Sequence, residues 1–382
     1  MHRKVGIITI IDYNNYGNRL QNYATQEVIK HLGFEVETII NSPYCNVSLK
    51  DRIRKVFKMS SRELIAKIFQ KVRYKFFKSR NEKRIELLNE IRTKNFKEFS
   101  SKYICETSFI ITPDNVPYDI KDRYSAFIVG SDQVWNPNYR LGSYIDFLTF
   151  APKEKRIAYA ASFGVSSLPN EHISNYKRWL SEMAYISVRE EAGAKIIKDL
   201  IGRDVDVLID PTLMLNKEQW LAISKAGKCK PDRPYLLTYF LAGVSDEVKA
   251  KIHSIIKETN LKVLNLLDIE NELLYVADPA EFLDYINSSE VVFTDSFHGV
   301  VFSILFEKPF VVLERSDYAI GSRIDTLLKK FDFNSRRFEY IKSTKDIYNI
   351  NFSKATEILK VERIKALEYL KKALNINQIN NL

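Results

Sequence analysis

The sequence predicts two α/β domains with largely parallel sheets, and three observations carry that expectation. Short apolar runs of strand length alternate with segments of helical periodicity, so that each strand is followed by a helix able to cover the sheet. A charged, proline-bearing stretch, Lys225 to Pro234 (KAGKCKPDRP), interrupts the alternation. Beyond it the alternation starts again. A chain of 382 residues is long enough for two domains of ordinary size. The N-terminal domain is expected over 1–224, with a helical insertion at about 50–100. The C-terminal domain is expected over 235–345 and a closing helix over 346–382.

In the first half, the expected strands are Val5–Ile11, Val36–Ile40, Ala126–Gly130, Arg156–Ala160, Tyr185–Val188 and Val205–Ile209, each an apolar run. Helical periodicity is expected over Gly17–Leu32, Ser174–Met183 and Ala192–Leu200. After the linker come strand Tyr235–Leu241, helix Glu247–Thr259, strand Val263–Leu267 and helix Pro279–Asn287. Strand Val291–Thr294, helix Gly299–Phe306 and strand Phe310–Leu313 complete the second set. Ser353–Leu374 reads as a last helix, with Ile358, Val361, Ile364, Leu367, Leu370 and Leu374 near helical spacing.

Composition excludes several classes. With 45% hydrophobic residues the chain can bury a full core, and 12 glycines and 11 prolines are too few for collagen-like or low-complexity architectures. Cys45, Cys105 and Cys229 are odd in number, far apart and in no CxxC spacing, which offers neither a disulfide framework nor a zinc site and fits a reducing cytoplasm. The first apolar run ends at Asp12 and no small-residue cleavage site follows, so it reads as a buried strand. No window approaches the roughly 18 uncharged apolar residues of a spanning helix. A soluble or peripheral protein is expected.

The formal net charge is +10, and it is concentrated. Between Lys50 and Arg84 stand fourteen basic residues against Asp51, Glu63 and Glu82, so the remainder is close to neutral. Ser60 and Glu63 could form a capping box for a helix that places Leu64, Ile65, Ile68, Phe69, Val72 and Phe76 on one face with basic flanks. Such a helix suits an anionic membrane surface, or packs its apolar face on its own domain. Nucleic acid is not favoured, because no groove-reading or base-stacking motif accompanies the charge.

Polar clusters at the ends of predicted strands are the candidate site. Asp12-Tyr13-Asn14-Asn15-Tyr16-Gly17-Asn18 joins the first strand to a helix, and Gly17 and Asn18 could expose amides or polar groups to an anion, or serve the turn alone. There is no GxGxxG and no P-loop. Ala126–Val129 delivers Gly130-Ser131-Asp132-Gln133 to the carboxyl end of a strand, where Ser131 and Asp132 could contact ligand or cap a helix. Arg189, after Tyr185–Val188, offers a rigid donor fork for carboxylate or phosphate, or a surface ion pair with Glu190. Asp210-Pro211-Thr212 ends the following strand similarly.

Asp295-Ser296-Phe297-His298-Gly299 is the strongest cluster, with His298 between an apolar strand and an apolar helix. Its imidazole could donate to an anion or transfer protons near neutral pH, or simply cap the helix. His2, His31, His172 and His253 look structural. Arg323, in Gly321-Ser322-Arg323, supplies a second arginine just before a helix. Neither HExxH nor a nucleophile elbow is present, and no metal is indicated.

Taken together, NNYGNRLQNYATQEVIKHLG, FIVGSDQVWNP, RIAYAASFG, ISVREEAGAKII, DVLIDPTLML, DPAEFLDYINSSEVVFTDSFHGVVFSILFEKPFVVL and GSRIDTLL resemble the polysaccharide pyruvyl transferase family, in consistent order from Asn14 to Leu328. The resemblance implies a GT-B-like fold, two Rossmann-like domains facing across a cleft. It implies transfer of a pyruvyl group from phosphoenolpyruvate to a sugar hydroxyl pair as a ketal, on a cell-surface polysaccharide or its lipid-linked precursor. No cofactor is expected beyond phosphoenolpyruvate as donor substrate. His298 is assigned to phosphate contact or acid catalysis, Arg189 and Arg323 to the donor's carboxylate and phosphate, and Asp132 or Asp295 to the acceptor hydroxyl. Gly17, Asn18, Ser131 and Ser296 are expected to contact substrate. Ser296 departs from the family's pattern, since some members carry an arginine two residues before this histidine. The enzyme is expected in the cytoplasm, peripheral to the membrane through residues 50–84. The same fold also suits a glycosyltransferase using a nucleotide sugar.

Overall fold

The computed structural model of the chain describes residues 3–44, 80–242, 244–313 and 318–376. Most of the basic segment, including the expected helix from Ser60 to Phe76, lies outside the described residues.

Two parallel sheets organise the molecule. The first contains β1 (Lys4–Ile8), β2 (Glu35–Asn41), β3 (Glu106–Ile111), β4 (Ala126–Val129), β5 (Arg156–Ala161), β6 (Tyr185–Val188) and β7 (Asp206–Val207) in the order β3-β2-β1-β4-β5-β6-β7. The second contains β8 (Tyr235–Tyr239), β9 (Lys262–Asn265), β10 (Val291–Thr294) and β11 (Phe310–Val312) in the order β11-β10-β8-β9. Every residue of β4, β5, β8 and β10 is buried. Helices covering both faces of a parallel sheet leave no solvent side, which is why these strands are continuous apolar runs rather than alternating ones.

The expected boundaries shift for local reasons. β1 stops at Ile8, and the Ile10 carbonyl beyond it accepts from Asn18 Nδ2 instead. β7 has two residues, although pairing continues once more from Leu208 N to Val188 O. The edge strand β3 was not expected; of Glu106–Ile111 only Thr107 and Ile111 are buried, too little apolar pattern to announce a strand.

The helices used below are α1 (Tyr16–His31), α2 (Arg80–Tyr103), α3 (Asn170–Ser181), α4 (Glu191–Ile201), α5 (Asp246–Thr259), α6 (Pro279–Ser288), α7 (Phe297–Leu305), α8 (Tyr318–Lys330) and α9 (Ser353–Ala373). α1 begins where Asn15 accepts from Asn18 N, and α6 begins with a capping box of Asp278 and Glu281 behind Pro279. Among the described residues no helix is long and apolar enough to cross a membrane.

The two sheet units share one apolar cluster rather than meeting at a wet interface. Tyr16 of α1 stacks on Phe282 of α6 at 4.5 Å and donates to the Ala277 carbonyl. Trp220 meets Phe302 of α7 edge-on at 5.0 Å. Arg92 of α2 lies over the Tyr16 ring and donates to the carbonyls of Tyr275 and Asn14. The expected linker is pinned to α6: Lys225 N donates to Ala280 O, and Gly227 N to Asp284.

α9 closes the fold, on a stripe that shares Leu370 and Leu374 with the expected one, while Ile358 and Leu367 pack half-buried beside it. Val361 and Ile364 are exposed, and the buried face is Ala355, Leu359, Glu362, Ala366, Leu370 and Ala373, with the three-four spacing of a helix face. Glu362 is tolerated there because Lys330 and Lys365 pair with it. The helix returns to the first unit, where Tyr369 Oη donates to Ala158 O and Arg363 to the carbonyls of Leu213 and Leu215.

Candidate active site

A parallel sheet binds ligands beyond its carboxyl edge, where successive connections leave in opposite directions and open a crevice. In the first sheet that point lies between β1 and β4, and in the second between β8 and β10. The loops after all four strands meet around one cavity of about 400 Å³. Ile10, Asp12, Asn15 and Asn18 line it from β1 and α1, and Asp132, Gln133 and Tyr139 from beyond β4. Leu241 lines it from beyond β8, Asp295, Ser296, Phe297 and His298 from beyond β10, and Arg323 from α8.

The second-sheet wall is cationic. α7 begins two residues earlier than expected because the Ser296 side chain accepts from Gly299 N. Ser296 is therefore the cap, and His298 stands in the first helical turn, where unpaired backbone amides give a positive helix end. His298 is buried and its Nε2 has no hydrogen-bond partner. Arg323 lies inside α8 rather than before it, buried, with Nε unpartnered. Burial, reinforced by the Arg189 charge, pushes Arg323 down to about 10, so it remains a cation at neutral pH.

Arg189 is placed differently from its expectation. It is buried, and its partner is Asp210 rather than Glu190. Ser131 donates to Asp210 at 2.7 Å and accepts from Arg189 at 3.1 Å, while Thr212 donates to Asp210 through its amide and hydroxyl. Burial alone would raise the Asp210 carboxyl, but Arg189, His298 and Thr212 together hold it well below the usual carboxylate range. Asp210 Oδ1 lies 3.8 Å from His298 Nε2, an ion-pair distance when the imidazole is protonated. Arg189 and Ser131 thus stand behind the cavity wall rather than in it. Arg189 still keeps Nε and Nη2 unpartnered. Both guanidinium groups lie over the Phe297 ring, Arg189 at 4.3 Å and Arg323 at 5.9 Å from its centre.

Gly17 has a role in packing. A methyl group placed on it would lie 1.9 Å from His298 Nδ1, so the missing side chain is the space the imidazole occupies. Asp295 also differs from its expected role, since its two carboxylate oxygens accept from the amides of Leu241 and Ala242 and hold the loop after β8.

The first-sheet wall carries carboxylates and amides. Asp132 has φ 66°, a left-handed conformation uncommon for a side chain other than glycine or asparagine, which turns its carboxylate into the cavity mouth. Asn18 accepts from Asp12 N and donates to Asp132 Oδ2, each at 2.9 Å. Asp12, Asn15, Gln133 and Asp210 stood in the candidate clusters without an individual role, and Tyr139 was not expected. A signal existed for Asp12 and Asp210, because each ends a predicted strand. Among the described residues no group of three or more histidine, cysteine, aspartate or glutamate side chains is arranged to hold a metal ion.

Comparison with known proteins adds the following. The UDP-GlcNAc 2-epimerase of Neisseria meningitidis bound to UDP-GlcNAc is similar in structure, at 12% identity and TM-score 0.43, over 97% of this chain and 100% of that one. Arabidopsis thaliana UGT89C1 complexed with quercetin gives 10%, TM-score 0.42, 97% and 94%. The spinosyn rhamnosyltransferase SpnG gives 8%, TM-score 0.40, and the full length of both chains. No curated protein matches in sequence. The family model described as polysaccharide pyruvyl transferase matches residues 15–317, a span that includes Asn18, Asp132 and His298 of the cavity and stops short of Asp12 and Arg323, and the chain belongs to that family.

Proposed function

We propose that the protein transfers a pyruvyl group from phosphoenolpyruvate to two hydroxyls of one sugar residue, forming a pyruvate ketal on a cell-surface polysaccharide or its lipid-linked precursor. The observation that carries this reading is the opposition within one cavity of buried Arg323, with Nε unpartnered, beside the α7 helix start that bears His298, and a wall of carboxylates and amides. A compact carboxylate-and-phosphate donor matches the first, and a polyhydroxyl acceptor matches the second.

In this mechanism Arg323 and the α7 amides bind the donor's anionic groups. Protonated His298 delivers its proton to the methylene carbon, leaving the adjacent carbon oxocarbenium-like. One acceptor hydroxyl adds there, phosphate leaves, and the second hydroxyl closes the ring. The buried Arg189–Asp210 pair holds the imidazole in place from behind. No cofactor takes part in these steps.

The fourteen-to-three surplus of basic over acidic residues across 50–84 supports attachment to an anionic lipid surface on the cytoplasmic side. Arg84, at the end of that stretch, is paired with Glu270 and Glu272. Flotation with anionic liposomes, comparing the wild type with a variant neutralised at Lys67, Lys71, Arg73 and Lys78, tests this part. Equal, salt-insensitive binding of both would count against it.

The chemistry is tested by incubating the protein with phosphoenolpyruvate and a panel of p-nitrophenyl hexosides and lipid-linked sugars. Phosphate release with a product mass gain equal to one pyruvyl ketal is the expected result. Turnover with a nucleotide sugar alone would replace this reading by glycosyl transfer.

A further inference from the structure

Ketal formation requires more of the acceptor side than a single base. Two O–H bonds, the C–O bond to phosphate and the π bond of the enol break, while two C–O bonds, one C–H bond and one O–H bond on phosphate form. One of the two protons ends on the new methyl group and the other on phosphate. Both must first leave neighbouring hydroxyls of the same sugar.

The aspartates around the cavity differ in how far they are engaged. Asp210 is held by Arg189, Ser131 and Thr212, and the oxygens of Asp295 hold the amides of Leu241 and Ala242. Asp12 uses Oδ1 to accept from Asn14 N, and Asp132 uses Oδ2 to accept from Asn18. The second oxygen of each has no hydrogen-bond partner among the described residues, and neither carboxylate forms an ion pair there. Asn18 ties the two together, since the same amide group accepts from the Asp12 backbone and donates to the Asp132 side chain. Across the cavity stands Arg323, more than nine-tenths buried and with Nε unpartnered, which marks the space between the walls as a place for a ligand; His298 lines the same space with its Nε2 turned 3.8 Å from Asp210. Burial, with the neighbouring Asp132 charge, raises the Asp12 carboxyl above its ordinary range, against the pull of the Asn14 amide, Arg19 and Arg92. A carboxylate so placed is a stronger base than an exposed one.

We propose that Asp12 and Asp132 form the acceptor diol subsite, each taking the proton of one of two adjacent hydroxyls, with Asn18 fixing the distance between them. The assignment rests on the pyruvyl-transfer reading above and extends it to Asp12 as a catalytic residue. It also sets the direction of the reaction across the cavity: donor on the second-sheet wall, diol on the first.

The experiment is steady-state kinetics of Asp12→Asn, Asp12→Glu and Asp132→Asn in the full chain, with phosphoenolpyruvate and an acceptor from the hexoside panel that the wild type converts to ketal. Asparagine tolerates the left-handed backbone at 132, so Asp132→Asn provides a second variant that is not compromised by strain. Each asparagine variant is expected to lower kcat by about 100-fold or more, while the KM for phosphoenolpyruvate stays within about threefold. Asp12→Asn is expected to lose the acidic limb of the kcat/KM profile for acceptor, and Asp12→Glu to restore it with part of the rate. A kcat above half of wild type in Asp12→Asn, or a raised donor KM at unchanged kcat, would overturn the diol subsite while leaving pyruvyl transfer standing. A wild type that releases no phosphate and forms no ketal with any acceptor would remove both.

Discussion

The two walls of the cavity are built by the same device and carry opposite chemistry. Each is a pair of loops beyond neighbouring parallel strands, β1 and β4 in one sheet and β8 and β10 in the other. On the first wall the polar groups largely satisfy one another, with Asn18 at the centre of Asp12, Ile10 and Asp132. On the second wall nitrogen atoms stand without hydrogen bonds: Nε2 of His298, Nε of Arg323, and behind them Nε and Nη2 of Arg189. An unpaired buried donor is unfavourable in the free protein, and an anionic ligand removes that penalty. The first wall is therefore preformed, whereas the second is completed by what it binds.

The largest effect is expected where the second wall is anchored in the first sheet. Asp210→Ala leaves Arg189 buried without its countercharge, and breaking a buried pair in this way destabilises by about 3–5 kcal/mol. Urea denaturation measures it, and a midpoint equal to wild type would show that the anchor is not structural. The pH dependence has a definite sign. Because the folded Asp210 carboxyl is held below its unfolded value of about 3.9, its stabilisation is fully present above that pH and is lost as pH falls through the folded value. Asp210→Asn should then lose stability less steeply than wild type below about pH 4. Parallel acid-unfolding curves would contradict this.

Next come the two residues that touch across the walls. His298→Ala should reduce turnover by about 100-fold or more. Gly17→Ala should approach the same loss without removing any functional group, because its methyl occupies the imidazole's place. Full activity in Gly17→Ala would separate His298 from the chemistry. Arg323→Gln should raise the KM for phosphoenolpyruvate by about 10- to 100-fold, the scale of one charge-assisted hydrogen bond. An unchanged donor KM would move the anion off this wall. The smallest effect is expected far from both walls: Val361→Ser, on the exposed face of α9, should alter stability by less than about 0.5 kcal/mol in the same urea assay.

What the sequence made legible followed from burial on both faces. β5, β8 and β10 announce themselves as apolar runs, and the restart after Pro234 foretold a second sheet. β3 stayed hidden because an edge strand needs only one apolar side at alternate positions. The buried stripe of α9 was placed only in part because it is made partly of alanines and a paired glutamate, while Val361 and Ile364 face solvent. In the site, His298 and Asp132 were legible from their places at strand ends. The Arg189–Asp210 pair was not, since it joins residues from adjacent strands β6 and β7 whose register appears only in three dimensions. Asp12 stood in a candidate loop without a role of its own for a related reason: what distinguishes it is its free oxygen and its neighbour Asp132, both set by the fold.

The return of α9 to the first unit has a consequence for how the chain assembles. The carbonyls of Leu213 and Leu215 accept from Arg363, and that of Ala158, already bonded by Ser187, accepts also from Tyr369. During synthesis the first sheet therefore emerges early but waits, with an uncovered apolar seam, until the whole second sheet has been made. The part of the molecule translated first is the last to be finished, and its completion depends on contacts of very long sequence separation, the kind that slow folding most.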